Sequence, residues 1–262
     1  MTAPIPRLKS AEVVDQVNKI LRDITRFLPE DDLIIRRLLK EAETSVKANP
    51  AFGHAALASV YQLTGNAQKA RHHATNAIEL APSEYVLLGN KSSILANLGF
   101  HSEALQCFQQ AVKPERGQLS WVWPQGYVCG AFSTMVEAIK AARKMKLQLK
   151  HLDIETAEKA AKVIEETETS ESTIAKVLDF IGAVLREHRL FYLGQTPKVN
   201  VFDEPGHEPF VRMVYRVALP APEVQQIYRE FIARVVREQV PMPDCLSVSL
   251  ASSTPEHARK AA

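Results

Sequence analysis

A spacing of 34 residues carries one part of this chain onto another. With Ala51 laid over Tyr85, Ser59 falls on Ser93, Gly65 on Gly99, Ala70 on Ala104 and Ala77 on Ala111. A period of this length marks a supersecondary unit that cannot bury its apolar face alone and must stack on neighbouring copies.

Within AFGHAALASVYQLTGNAQKARHHATNAIELAP, apolar and small residues recur at helical spacing on both sides of Gly65. A first helix is expected over about residues 51–63, ending at Gly65, whose access to positive φ suits a helix C-terminus. A second is expected over about residues 67–80 and is stopped by Pro82, which has no N–H to continue the ladder. Ala70 must be small where the two helices cross, and Ala77 where the second helix meets the next hairpin; a larger residue at either would overpack the seam.

His54, Leu57, Ala58, Tyr61, Gly65, Ala70, Ala74, Ala77 and Pro82 stand in order at the signature places of the tetratricopeptide repeat, which this unit resembles. His54 and Ala74 depart from the usual aromatic choices. The next unit offers Leu88, Lys91, Ser92, Leu95, Gly99, Ala104, Phe108 and Ala111, with an early Pro114 and with Lys91 at a normally buried leucine place. Upstream, Leu38, Ala42 and Ser45 before Pro50 look like the second helix of a worn first repeat, with residues 11–27 as its first helix. The resemblance implies a mainly α fold: a tetratricopeptide-like helical-hairpin solenoid over residues 1–114. Helices following the WVWPQG stretch, over about residues 130–149, 153–166 and 172–187, would extend or cap it through residues 115–190.

From about Leu190 the period changes from helical to extended, which places a boundary there. Residues 198–203 (KVNVFD) and 210–219 (FVRMVYRVAL) read as strands joined through the turn-rich EPGHEP, Pro222 opens a helix reaching about Arg237, and CLSVSL at 245–250 reads as a third strand. Residues 191–262 should form a small carboxy-terminal α+β (β-β-α-β) unit, frayed after Ala251. One helix covers one face of such a sheet, so the unit should lean on the repeats or on a second copy, and its edges offer a route to a homodimer.

Composition narrows the function. A chain that is 46% apolar and 24% charged, with a net charge of +2, is neither disordered nor a general polyanion binder. No apolar run reaches the roughly 20 residues of a membrane span, and the amino terminus lacks the apolar core of a secretory signal. The expected address is cytoplasmic. Cys107, Cys129 and Cys245 are too few and too scattered for a disulfide framework or a CxxC zinc site. No GxSxG, GxxxxGK[ST] or GxGxxG occurs, so neither a serine nucleophile nor a nucleotide loop is indicated, and no cofactor is expected.

Three local clusters compete with a purely structural reading. The loop containing Asp203, His207 and Glu208 could hold a divalent ion or do acid–base work, but with no second cluster to complete a shell a polar hairpin tip is favoured. His151-Leu152-Asp153 matches half of an iron triad, yet Asp153 is better explained as a helix N-cap. Lys140, Arg143, Lys144, Lys146 and Lys150 form a basic run that could meet phosphates, although the acidic helix after it, with Glu158 and Glu165, would pair with it internally. His54, His72 and His73 have no ligand-type partner at helical spacing and read as ordinary surface or packing histidines.

In the family, first helices of successive repeats line a groove that holds a peptide or a helix. By position this implies a partner-binding face of Phe52, Ala55, Ala56, Ser59 and Gln62 from one repeat and Val86, Gly89, Asn90, Ser93 and Asn97 from the next. Small side chains with a few amides suit a protein or peptide ligand, unless the chain's own helices fill the face. The expected function is a non-enzymatic protein–protein interaction adaptor. The alternatives are a metal-dependent enzyme or regulator at the 203–208 loop and a polyanion or nucleic-acid binder at the 140–150 basic helix, the last disfavoured by the internal acids.

Overall fold

The computed structural model describes residues 9–113, 119–150 and 152–253. Pro114, His151 and the tail from residue 254 lie outside the described residues. Paired helices follow one another: α1 (Lys9–Asp23) with α2 (Leu33–Ala48), α3 (Pro50–Thr64) with α4 (Ala67–Leu80), and α5 (Tyr85–Asn97) with α6 (His101–Ala111). Then come α7 (Leu119–Cys129) with α8 (Phe132–Lys144), and α9 (Ile154–Glu166) followed by α10 (Glu171–Glu187). The helices of the first four pairs pack on their mates, α9 packs on α8 and α10 on α6, and α1, α3, α5 and α7 lie side by side, a packing compatible with a helical repeat. Among the described residues no helix is long and apolar enough to cross a membrane.

Local chemistry explains the helix ends. Asp32 accepts from Ile34 N at 2.8 Å, Asn49 from Phe52 N at 3.3 Å with Pro50 at the first position, and Asn66 from Lys69 N at 3.0 Å. These satisfy first-turn N–H groups that have no helical acceptor. Gly65 closes α3 in the left-handed region at φ +72°. Ala70 and Ala77 are both buried, and Ala77 clusters with Ala51, Ala55 and Leu87, so the small residues mark where hairpins meet. Lys91, the departure from the repeat pattern, escapes burial by reaching Thr75 Oγ1 at 3.0 Å.

The WVWPQG stretch, to which the sequence pattern assigned no element, is helical. Pro124 lies in the second turn of α7, where its missing N–H costs one bond to a carbonyl near the helix start, and the burial of Val122, Trp123 and Tyr127 holds the turn in place.

Helix α10 returns across the α5–α6 hairpin. Gly99, at φ +72°, meets Gly182 so closely that a Cβ on either would strike the other's backbone. Asp179 accepts from Ser102 N at 3.0 Å and so caps α6, whose own N-cap residue Phe100 provides no side-chain bond. Arg186 donates to the carbonyls of Leu98 and Gly99 at 2.7 and 2.6 Å while its guanidinium lies over Phe100, with Arg71 on the same ring. The chain then pairs with the α1–α2 connection: Phe27 N donates to Arg189 O at 2.9 Å, Phe191 N to Thr25 O at 3.0 Å, and the rings of Phe27 and Phe191 meet edge to face.

Strands β1 (Leu193–Phe202) and β2 (Phe210–Val217) are antiparallel; α11 (Ala221–Arg237) crosses over to β3 (Leu246–Ser252), which runs parallel to β2. The sheet order is β1-β2-β3. Val211, Met213, Tyr215 and Val217 face inward, and Tyr215 donates to Val128 O of α7 at 3.1 Å. One continuous apolar cluster runs from Leu95 in α5 to Val248 in β3, so the sheet shares its core with the helices. Helix α11 is fixed to α10 by Arg234 with Glu187 at 2.8 Å and by His188 with Glu230 at 2.6 Å.

Candidate functional site

The face formed by α3, α5 and α7 is built from residues one helical turn apart. On α3, Phe52 is half-buried, whereas Ala55, Ala56, Ser59 and Gln62 are buried. Ala55 packs with Ala77 and Leu87, and Ser59 returns its hydroxyl to Ala55 O at 3.0 Å. Small residues here let helices approach, and the approach removes those same residues from solvent. On α5, Val86, Asn90 and Ser93 remain half-buried, Gly89 is buried, and Asn97 accepts from the Tyr192 hydroxyl at 3.1 Å. The expected groove is therefore closed over Ala55, Ala56, Ser59, Gln62 and Gly89 by the chain's own packing. Asn97 is committed to an internal bond.

What covers Gly89 is Trp121 of α7. Its ring occupies the space a Cβ at 89 would need, yet the side chain stays 42% exposed, while Trp123, on another side of the helix, is 4% exposed. An exposed tryptophan seated on a glycine beside Val86 and Asn90 is the residue type that dominates protein interfaces. The sequence pattern assigned WVWPQG no role in the face; the two tryptophans two positions apart were the available signal.

The basic run divides in two. Arg143 pairs with Glu158 across α8 and α9 at 2.9 Å, and Lys140 with Glu137 at 2.8 Å. Lys144, Lys146 and Lys150 are exposed around the end of α8 and make no ion pair among the described residues. In the 203–208 loop, Asp203 pairs with Lys162 at 3.2 Å, His207 N closes a turn on Glu204 O, and Glu208 lines a shallow cleft with Glu166, Asp244 and Cys245. Among the described residues no group of three or more His, Cys, Asp and Glu side chains is placed to hold a metal ion. Asp153 caps α9, accepting from Thr156 N at 3.2 Å.

All three thiols are buried. Burial pushes the Cys107 and Cys129 thiols up, which opposes a thiolate nucleophile. The most perturbed base is His101, at the start of α6. Burial above all, and then the Arg186 charge, bring its pKa down to about 3, against a hydrogen bond to Val128 O that favours the cation. Its Nδ1 has no partner and its ring meets Tyr215 edge to face. Enclosed this way, His101 is a core residue rather than a proton donor to solvent.

The histidines pack together across the hairpin. His54 of α3 and His73 of α4 face each other, Nδ1 to Nδ1, at 2.9 Å, with Tyr61 stacked on the other side of His73. Their sequence separation hid the contact, because it is made across the hairpin rather than along one helix. Comparison with protein-family models, curated proteins and solved structures finds no significant match to this chain.

Proposed function

We propose that this chain is a tetratricopeptide-like helical scaffold, without catalytic activity of its own, that binds a protein or peptide partner across the α3–α5–α7 face. The observation that carries the reading is Trp121, exposed on Gly89 of α5, the helix that also carries half-buried Val86 and Asn90. A partner that covers this ring buries a large amphipathic side chain at small entropic cost, and Asn90 supplies an amide for partner backbone. Ala55, Ser59 and Gln62 support the face from beneath rather than touching the ligand.

The test is affinity purification from the native host with the wild-type chain, Trp121→Ala and Asn90→Arg. A stoichiometric protein held by the wild type and lost from both variants, with unchanged helicity, is the expected result. Retention by both variants would remove this face from consideration. A single metal ion with no protein partner would instead favour a metal-dependent role.

A further inference from the structure

One face of the sheet packs into the helical core, and the other is turned outward. Along β2, buried Val211, Met213, Tyr215 and Val217 alternate with Phe210, Arg212, Val214 and Arg216, none of which is buried. The register sets Phe202, Asn200 and Lys198 of β1 beside Phe210, Arg212 and Val214. On the other side it sets Ser247 and Ser249 of β3 beside Arg212 and Val214. Aromatic, cationic and small polar side chains therefore share one surface.

Phe202 and Phe210 stack with ring centroids 4.7 Å apart and an interplanar angle of 13°, and the Arg212 guanidinium carbon lies 5.2 and 5.7 Å from the two centroids. The charged side chains of the face are Lys198, Arg212 and Arg216, all cationic: β1, β2 and β3 contain no Asp or Glu, in a chain that has 30 of them. None of these three cations makes an ion pair among the described residues, and Arg216 Nε is buried without a hydrogen-bond partner. A desolvated guanidinium N–H that lacks an acceptor costs free energy, which an anionic ligand restores through a charge-assisted bond.

We propose that this face binds single-stranded nucleic acid, its bases stacking on the cluster of Phe202, Phe210 and Arg212 and its phosphates meeting Lys198 and Arg216. One ligand then uses both features, because unpaired bases offer flat π faces to aromatic rings and guanidinium planes while the backbone supplies the negative charge. From Phe210 to Arg216 the strand runs roughly 20 Å at about 3.3 Å per residue, a length on which RNA-reading sheets stack two or three bases. Asn200, Ser247 and Ser249 add an amide and two hydroxyls beside them. Other occupants use less of the surface. A second copy of this chain would set cation against cation. A bilayer calls for apolar groups that project, whereas these half-buried rings stack on each other. An acidic peptide answers the cations and leaves the rings unused. The site is separate from Trp121 and from the α8 lysines, so it stands independently of the partner face on α3, α5 and α7.

The test is fluorescence anisotropy of a labelled short oligouridylate titrated with the full chain between about 50 and 200 mM salt, beside Phe202→Leu, Lys198→Gln and, on α8, Lys144→Gln. The wild type should bind with a slope of log affinity against log salt of about −1.4, two phosphate contacts at about 0.7 each. Phe202→Leu should bind about 10-fold more weakly with an unchanged slope, since it removes a stacking surface and no charge. Lys198→Gln should bring the slope to about −0.7, and Lys144→Gln should match the wild type. Exposed Lys198 carries no packing, so its variant decides alone should Phe202→Leu not fold. Absence of binding at the lowest salt, equal affinity for a duplex of the same length, or weakening by Lys144→Gln without weakening by Lys198→Gln overturns the proposal. Tighter binding to polyglutamate or to anionic vesicles than to the oligonucleotide overturns it as well, and assigns the face to that ligand.

Discussion

Lowering the pH should unfold this protein partly through one buried ring. His101 is 1% exposed, Arg186 opposes its protonation, and its folded pKa is about 3 against 6.5 in the unfolded chain. A base whose folded pKa is depressed binds more protons unfolded, so its contribution is complete above pH 6.5 and is lost as pH falls from there toward 3. Between pH 7.5 and pH 5 the linkage relation gives a loss of about 2 kcal/mol from this ring, with a slope approaching 1.4 kcal/mol per pH unit. The assay is urea unfolding of the wild type and His101→Leu at several pH values. The variant should lose about 2 kcal/mol less than the wild type over this interval, since the other histidines are common to both. Parallel profiles would show that His101 is protonated in the folded state, or not enclosed, and would refute the account of the α6–α10 contact.

Other outcomes follow from the same contacts. Gly182→Val forces a side chain against the backbone of Gly99 and should lower stability by about 1–3 kcal/mol or more in chemical denaturation. Asp179→Ala removes the acceptor of Ser102 N and should cost about 1 kcal/mol, read as a lower melting temperature. Arg143→Ala breaks a pair exposed by 56% and 42% and should change stability by less than about 1 kcal/mol; a larger loss would mean that the basic run is structural. Trp121 fluorescence should be quenched by iodide in the free protein and protected by a bound partner, whereas buried Trp123 stays protected throughout.

The helical hairpins were legible because their determinants are local. Gly65, Asn66 and Pro50 set helix ends through backbone geometry and capping, and Ala70 and Ala77 mark crossings by size alone. The β-β-α-β order was legible from the change in period after Leu190. Residues distant in sequence supplied what was missed. Gly99 faces Gly182, Phe27 faces Phe191, and His54 faces His73, and no periodicity encodes such pairings. Groove positions were read from the resemblance, but burial depends on how closely neighbouring helices approach. Small residues at Ala55 and Gly89 make that approach closer and hide the expected lining. Trp121 was missed for a different reason: the groove positions were taken from α3 and α5 alone, and the WVWPQG stretch was given no element.

The central claim, that a partner lies across α3, α5 and α7, is tested most directly by hydrogen exchange of the chain with and without its copurified partner. The account predicts new protection concentrated around Phe52, Val86, Asn90 and Trp121. Protection confined to the α8 lysines or to the open face of the sheet would contradict it.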